Sequence, residues 1–176
     1  MFKAKPIRDG YIREARGRDA RKVLSYIKQV SGETDFLTFG PESFNLSEQE
    51  EHDFLETCHR QANGLYLIAF LKDKIVGSIS FIGGNRPRTQ HAGELGMSVL
   101  RLAWGRGIGS TLLEVLEDWC RRNGRFTKLN LRVRTDNLRA IELYTRLGFE
   151  KEGVLRRELK VNGNYRDLLW MGKILE

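Results

Sequence analysis

Three glycines at alternate positions, Gly105, Gly107 and Gly109, separate a strand-like segment from a strongly periodic helical segment. Glycine lets backbone N–H groups approach an anion closely, and the following helix adds unpaired first-turn N–H groups and the positive end of its dipole. Residues 105–111 therefore predict a seat for a phosphate or pyrophosphate, with Arg101 and Arg106 close to it. A glycine-rich turn without a ligand is the open alternative, because short glycine motifs carry little specificity.

The common nucleotide-binding motifs do not describe this loop. An ATP-binding loop ends in Gly-Lys-Ser or Gly-Lys-Thr, and neither tripeptide occurs in the chain. A dinucleotide fingerprint needs a further glycine three residues after Gly109, where the chain has Leu112. A phosphate bound here would therefore belong to another class of ligand.

The hydrophobic pattern predicts the elements that position this loop. Apolar alternation predicts seven strands, at residues 11–15, 64–71, 74–82, 91–100, 129–133, 154–161 and 165–174. Helical spacing predicts four helices, at residues 20–30, 47–62, 108–123 and 140–147. The order β-α-α-β-β-β-α-β-α-β-β contains no repeat and no linker, so we expect residues 1–176 to form a single α/β domain on a mixed sheet.

Local signals assign the starts of three of these helices. Asp19 is the expected N-cap of the first helix, and Ser47–Glu50 forms a capping-box pattern that opens the second. Either Asp136 or Asn137 is expected to cap the fourth helix.

The charge of the chain is unevenly distributed around a formal net value of +7. Between Lys28 and Arg60 there is no Lys or Arg, and eight acidic residues fall in that stretch: Glu33, Asp35, Glu42, Glu48, Glu50, Glu51, Asp53 and Glu56. A segment of this kind can attract a cation, and the alternative is a set of solvated helix faces.

Cysteine usage and hydropathy indicate a cytoplasmic protein. No apolar run approaches the roughly 18 residues that a membrane span needs, and Met1–Pro6 lacks the apolar core of a signal peptide. Cys58 and Cys120 are expected to be reduced core thiols, with a disulfide as the alternative. Cys58 would share an inward helix face with Phe54 and Leu55.

Three segments, Glu94–Val99, Gly105–Thr111 and Asn137–Phe149, together resemble the GCN5-related N-acetyltransferase (GNAT) family in order and spacing, specifically its bacterial small-molecule and ribosomal-protein branch. The resemblance implies a mixed, mostly antiparallel sheet of about six to seven strands, about four flanking helices and splayed central strands. It implies an N-acetyltransferase that moves an acetyl group from acetyl-CoA to a primary amine by direct attack in a ternary complex. One position departs from the family pattern, because Trp104 stands where Arg or Gln is usual.

The resemblance also assigns cofactor-binding residues. Backbone groups of Met97, Ser98 and Val99 are expected to pair with the pantetheine amides, and an N–H in this strand would face the oxyanion. Asn137 would lie near the cofactor, with a plain helix cap as the equal alternative. The pyrophosphate would be held by the backbone of the loop, at Arg106, Gly107, Ile108, Gly109, Ser110 and Thr111.

Amide formation from a thioester requires one proton to be removed and another to be supplied. An aliphatic amine has a pKa of about 10, so roughly one molecule in a thousand is nucleophilic at pH 7. By resemblance, Glu94 is the candidate base and Tyr144 the acid that protonates the CoA thiolate and contacts the cofactor. The alternatives are a solvated carboxylate at Glu94 and a core tyrosine at Tyr144.

The acceptor is expected to be a small-molecule or peptide amine of cationic character, because the acidic stretch covers the helices that border the acceptor site in this fold. We expect neither a nucleic acid nor a membrane as partner, and a homodimer is allowed. No metal is expected, since His52, Cys58 and His59 lack a further ligand at suitable spacing. Two other functions stay open: a basic nucleic-acid-binding module, and a CoA-binding protein without catalysis.

Overall fold

The computed structural model describes residues 4–43 and 45–176, which carry an eight-stranded sheet and four α-helices. The strands are β1 Lys5–Ile7, β2 Gly10–Glu14, β3 Gly64–Leu71, β4 Lys74–Gly83, β5 Ala92–Val99, β6 Lys128–Arg134, β7 Glu150–Val161 and β8 Asn164–Ile174. The helices are α1 Ala20–Glu33, α2 Glu48–Arg60, α3 Ile108–Asn123 and α4 Leu138–Arg146. The first residues of the N-terminal segment considered above, Met1–Lys3, lie outside the described residues.

The sheet runs in the order β1-β2-β3-β4-β5-β6-β8-β7, and all neighbouring pairs are antiparallel except β5 with β6. The predicted fold class is confirmed, with one strand more than predicted. The additional strand, β1, has three residues and pairs along β2 at the sheet edge. A run of three residues is too short to show the alternation on which strand prediction depends.

The helices cover the two faces of the sheet. On one face, the Tyr26 hydroxyl of α1 reaches Ser98 of β5. On the other, Ile108 and Leu112 of α3 pack against Gly77 of β4, and α4 lies beside α3. These are called the α1 face and the α3 face below. Because strand side chains alternate, even-numbered residues of β5 and β6 face α1 and odd-numbered ones face α3.

The two central strands diverge, as predicted. Residues Ala92–Leu95 of β5 pair with residues Lys128–Leu131 of β6, and beyond these residues the two strands continue without pairing to each other. From Gly96 onward β5 follows β4, and from Arg132 onward β6 follows β8. The sheet therefore opens between these strands into a gap, called the split below, with unpaired backbone on its edges.

All three helices have their N-caps at predicted residues. The Ser47 hydroxyl accepts a hydrogen bond from Glu50 N, and Ser47 N donates to the Glu50 carboxylate at 2.7 Å, so the capping box is confirmed. Asn137 caps α4 by accepting from Ala140 N at 3.3 Å. Asp19 occupies the N-cap position of α1, but its side chain makes no cap bond, because the carboxylate is held by Arg13 at 2.7 and 2.8 Å.

The inward face of α2 differs from the prediction at one position. Leu55 and Cys58 are buried as expected, but Phe54 is 37% exposed and packs edge-on against Tyr66. The third buried position is Glu51, one turn before Leu55. Spacing of four and three residues places these side chains on one stripe, which moves Phe54 to its border.

Cys58 and Cys120 are buried free thiols, in agreement with the sequence. Within residues 4–43 and 45–176, no helix combines the length and the apolar character needed to cross a bilayer.

Candidate active site

The glycine loop presents a row of unpaired backbone donors. Gly105 and Gly107 adopt φ values of +76° and +75°, and Gly107 occupies the N-cap position of α3 without any side-chain cap. In the part of the chain that the structure describes, the N–H groups from Arg106 to Ser110 have no hydrogen-bond partner. These donors, together with the positive end of α3, form a site suited to an anion.

The last residue of the predicted loop contact, Thr111, differs from those before it. The N–H of Thr111 donates to the Gly107 carbonyl at 2.9 Å, and the Thr111 hydroxyl donates to the same oxygen at 3.1 Å. Thr111 therefore closes the first turn of α3, and its N–H is not a free donor. The unpaired backbone donors of the loop end at Ser110.

The loop opens into a cavity of about 530 Å³ that lies at the split and is lined by residues from both faces of the sheet. Its other walls are the end of α1 with the residues that follow it, the splayed end of β5, and α4. Cavities of this size hold drug-sized ligands. The cavity brings together most of the predicted cofactor residues: Met97, Ser98, Val99, Gly107, Ile108, Gly109, Ser110, Asn137 and Tyr144.

The backbone of β5 offers hydrogen-bonding groups to the split. Leu100 N donates to Val76 O of β4, so by alternation the backbone groups of Met97 and Val99 point away from β4, into the split. The backbone of Ser98 faces β4, and its carbonyl also accepts from the Tyr26 hydroxyl at 2.8 Å. Of the three predicted residues, Met97 and Val99 are therefore the ones with backbone groups turned towards a ligand in the split.

Trp104 connects the loop to this strand. Its indole Nε1 donates to the Val99 carbonyl at 2.8 Å. The guanidinium of Arg139 lies 4.4 Å from the centre of the Trp104 ring, and that of Arg101 lies 5.7 Å away. The tryptophan therefore supplies no positive charge itself but holds two arginines beside the anion seat through cation–π contact.

Tyr144 lies in the wall of the cavity with a free hydroxyl. The side chain is 6% exposed, packs edge-on against Phe149 with ring centres 5.8 Å apart, and lines the cavity. Burial raises the pKa of Tyr144 to about 12. Among the described residues its hydroxyl has no hydrogen-bond partner, so it can donate to a ligand.

Glu94 lies across the sheet from Tyr144, on the α1 face. Its carboxylate accepts a 2.6 Å hydrogen bond from Arg132 Nε, and a second acid, Glu158, lies 3.9 Å from the same guanidinium. Glu94 does not line the cavity that contains the loop. A reaction that uses both Glu94 and Tyr144 must therefore take place across the split.

Comparison with known proteins decides the family. The model of the acetyltransferase (GNAT) family matches residues 32–149, about two thirds of the chain. The chain belongs to the GNAT family. It is an N-acetyltransferase with acetyl-CoA as its acetyl donor, so the predicted family, enzyme class and cosubstrate are confirmed.

Relatives of this GNAT enzyme match over nearly its full length. An L-amino acid N-acetyltransferase of Escherichia coli is 26% identical over 163 residues, which cover 93% of this chain and 96% of the relative. A solved GNAT acetyltransferase of Streptococcus pneumoniae is 34% identical with a TM-score of 0.90, covering 93% and 98% of the two chains. The acetyltransferase yncA of Salmonella typhimurium, solved with its cofactor acetyl-CoA, is 20% identical with a TM-score of 0.82 and covers 96% and 95%.

Most acids of the stretch from Glu33 to Glu56 are engaged within this GNAT chain. Glu33 accepts from Arg101 N, Asp35 and Glu48 form ion pairs with Arg134 and Arg21, Glu50 caps α2, Asp53 accepts from Gln49, and Glu56 accepts from Gly17 N. Glu51 is buried, and its Oε1 lacks a partner among the described residues. These contacts give the stretch a structural role. Among its described acids only Asp35 and Glu48 are paired with an arginine, so most of its negative charge is not neutralised.

The histidines of α2 are engaged separately. His52 Nδ1 lies 3.1 Å from Asp53, and His59 Nδ1 lies 2.8 Å from Glu14. No group of three or more metal-ligating side chains occurs in residues 4–43 and 45–176.

Two contacts near the site could not be predicted from sequence. Alternation puts Arg132 on the polar face of β6, but its pairing with Glu94 depends on the register between β5 and β6. The Tyr26 bond to Ser98 joins residues 72 positions apart. Helical periodicity identifies Tyr26 only as a residue near the inward stripe of α1.

Proposed function

We propose that acetyl-CoA binds with its pyrophosphate on the glycine loop and its pantetheine arm along the splayed end of β5. The amine attacks the thioester directly, within a ternary complex. The observation that carries this proposal is that unpaired N–H groups, from Gly107 to Ser110, open into the same cavity as the free hydroxyl of Tyr144. Arg101 and Arg139, held beside Trp104, add positive charge near the phosphates.

The pantetheine contacts follow from the free backbone groups of the split. The Val99 carbonyl is occupied by Trp104, which leaves Val99 N–H and both backbone groups of Met97 for the pantetheine amides. One of these N–H groups also serves the oxyanion of the tetrahedral intermediate. Asn137 contributes through its side-chain Nδ2, since its Oδ1 is used to cap α4.

Tyr144 supplies the proton for the leaving group. Its raised pKa, about 12, keeps the phenol protonated at neutral pH. The burial that disfavours a phenolate also disfavours a bare thiolate at the same place, so a hydrogen bond from Tyr144 stabilises the charge that develops on sulfur. The burial of Tyr144 and its free hydroxyl support the role of general acid.

Glu94 is proposed to take the proton of the acceptor, directly or through one water molecule. One carboxylate oxygen is held by Arg132 Nε, which fixes the side chain. The other oxygen, Oε2, has no hydrogen bond among the described residues. It can therefore accept a proton from an ammonium group that approaches from the α1 face.

The two thiols do not offer an alternative nucleophile. Burial raises the pKa of Cys58 to about 11 and that of Cys120 to about 12, and neither lines the cavity. An acetyl-cysteine intermediate would need a thiolate with access to acetyl-CoA. This supports direct transfer without an acyl-enzyme.

The acceptor is an amine that carries positive charge at neutral pH until Glu94 removes its proton. The Escherichia coli relative is named as an L-amino acid N-acetyltransferase, which supports a small-molecule acceptor for this chain. Free thiols at Cys58 and Cys120 and the use of acetyl-CoA support a cytoplasmic location. We further propose that residues 1–176 act as one catalytic domain.

An acceptor screen tests this proposal. CoA release from acetyl-CoA is followed with a thiol reagent across amino acids, peptides, amino sugars and polyamines, and initial rates are measured while both substrates are varied. The proposal expects release with at least one amine and intersecting double-reciprocal lines. Parallel lines with an isolable acetyl-enzyme would contradict direct attack, and acetyl-CoA binding without release to any amine would favour a CoA-binding protein without catalysis.

A further inference from the structure

The ion pair of Glu94 and Arg132 lies at the point where the sheet opens. Leu95 and Leu131 form the last pair between β5 and β6, so Glu94 precedes that pair by one residue and Arg132 follows it by one. Both side chains are on the α1 face, beside Gly96, which is exposed. The pair therefore borders the split on the α1 face, and neither of its residues lines the cofactor cavity.

The guanidinium of Arg132 has donors left over. Its Nε donates to Glu94 at 2.6 Å, and Nη1 lies 3.9 Å from Glu158, which is too far for a hydrogen bond. Among the described residues neither Nη atom has a hydrogen-bond acceptor. The side chains of Arg132 and Glu94 are 36% and 38% exposed, so a ligand can reach them.

Arg134, two residues along the same face, shows what an arginine with a structural role looks like in this strand. It is 3% exposed, donates from Nε and Nη2 to Asp136 at 2.9 and 2.6 Å, and donates from Nη1 to the Asp35 carbonyl at 2.9 Å. Every nitrogen of its guanidinium is occupied. Arg132 differs in that only one of its three nitrogens donates a hydrogen bond, while Nη1 makes a longer ion pair with Glu158 that a closer carboxylate would have to outcompete.

The pair thus exposes one unused group of each sign. The Nη1 and Nη2 N–H groups of Arg132 form a fork that matches the two oxygens of a carboxylate, while Glu94 Oε2 accepts from an ammonium group. A polyamine would place a second cation against the guanidinium, and an amino sugar or a peptide N-terminus would leave the fork empty. Only an acceptor with an ammonium and a carboxylate close together uses both groups.

We infer that the acceptor is a zwitterion of the α-amino acid type, whose carboxylate binds Arg132 and whose ammonium binds Glu94. This inference rests on the proposed function. In the reaction the ammonium loses one proton to Glu94, the amine nitrogen bonds to the acetyl carbon, and the carbon–sulfur bond breaks as Tyr144 protonates the CoA sulfur. The second proton that the nitrogen loses on forming the amide passes to solvent, and Tyr144 is reprotonated from solvent. Arg132 is then a specificity-determining residue that touches the substrate.

The test compares L-α-amino acids with their carboxamides in the thiol-release assay. A carboxamide lacks the carboxylate that Arg132 would bind. Its amine is also less basic than that of the free acid, so a greater fraction of the amide is unprotonated at neutral pH. Intrinsic reactivity therefore favours the amide. A preference for the free acid must therefore come from the protein. We expect kcat/KM to be roughly 10- to 100-fold higher for the acid, the effect of a charge-assisted bidentate contact.

Two variants assign this preference to Arg132. Arg132→Gln should bring the ratio of acid to amide close to one, and Arg132→Lys should restore part of it, because lysine keeps the charge but not the fork. The exposed Arg125→Gln, beyond the far end of α3, is the matched control and should leave the ratio unchanged. Arg132→Gln also removes the hydrogen bond that holds Glu94, and this would slow transfer to acids and to amides equally. The ratio of kcat/KM for acid to that for amide therefore reports only on carboxylate binding.

The outcomes separate the inference from the function on which it rests. The zwitterion inference is overturned if transfer to amides or polyamines is as fast as transfer to free acids. It is also overturned if Arg132→Gln does not change the ratio of kcat/KM for acid to that for amide. Neither result would contradict acetyl transfer itself. Absence of both acetyl-CoA binding and thiol release in folded protein, verified by thermal unfolding, overturns both.

Discussion

The indole Nε1 of Trp104 donates a 2.8 Å hydrogen bond to the carbonyl oxygen of Val99. This bond joins the glycine loop to the splayed end of β5, the two parts of the cleft to which we assign the pyrophosphate and the pantetheine arm of acetyl-CoA. It also satisfies a carbonyl that the split leaves without a strand partner. The position at which the family usually has Arg or Gln thus has a structural role in this chain, and the arginine stacked on the ring supplies the charge.

Replacing Trp104 by Phe should weaken acetyl-CoA binding without unfolding the protein. The variant loses one hydrogen bond worth about 1 kcal/mol, so we expect the KM for acetyl-CoA to rise roughly fivefold. Trp119→Phe is the control, because Trp119 packs against Phe81 and Phe126 away from the cavity. It should lower the melting temperature and leave the KM unchanged, and an equal rise in both variants would refute the role given to Trp104.

Gly107→Ala should weaken CoA binding at the glycine loop more than it lowers the stability of the fold. Gly107 has φ +75° and nothing within 4 Å of an added Cβ, so the cost arises from backbone conformation, about 1 kcal/mol. Gly124, at the other end of α3, has φ +70° and equally open surroundings. We expect both alanine variants to lose similar stability, while only Gly107→Ala weakens CoA binding, roughly tenfold or more in calorimetry. Equal CoA affinity in the two variants would contradict a pyrophosphate site at the loop.

These contrasts show which parts of the site could be predicted from sequence. The glycine loop is a local feature, because three glycines followed by a helical stripe specify both its backbone conformation and its free donors. The contact from Trp104 spans only five residues, but its direction depends on how β5 leaves the sheet. The sequence places Trp104 next to the glycine loop but does not identify the Val99 carbonyl as its hydrogen-bond partner.

Long-range packing limits the prediction for α2 and β6 in the same way. Glu51 is one acid among eight in its stretch, and only the packing of α2 against the sheet buries it in place of Phe54. Arg132 alternates with apolar residues like any solvated strand residue. Its place at the split follows from where the parallel pairing of β5 and β6 ends.

Buried Glu51 should make the stability of the protein depend on pH. Burial raises its pKa from 4.5 to about 7, so the folded protein binds this proton more tightly than the unfolded chain does. Its contribution to the free energy of unfolding therefore falls as pH rises from about 4.5 and levels off above about 7, by up to about 3 kcal/mol in total.

Glu51→Gln removes this titration and should be more stable than the parent at pH 8 but similar at pH 5, as measured by urea unfolding across the range. Glu48→Gln is the control, since the Glu48 side chain is 60% exposed and its replacement should preserve the pH dependence of the parent. A Glu51→Gln variant that follows the parent curve throughout would show that this carboxyl group does not titrate as described.

The proposed mechanism of acetyl transfer depends most directly on Tyr144 as the acid that protonates the departing CoA. The measurement is kcat of Tyr144→Phe with the best amine acceptor, together with calorimetric CoA affinity and a thermal unfolding curve. We predict a loss of roughly 100-fold or more in kcat, with CoA affinity and fold retained, because the phenyl ring keeps the packing against Phe149 and loses only the proton donor. An unchanged kcat would contradict the account, since proton supply to the departing CoA would then have to come from another group.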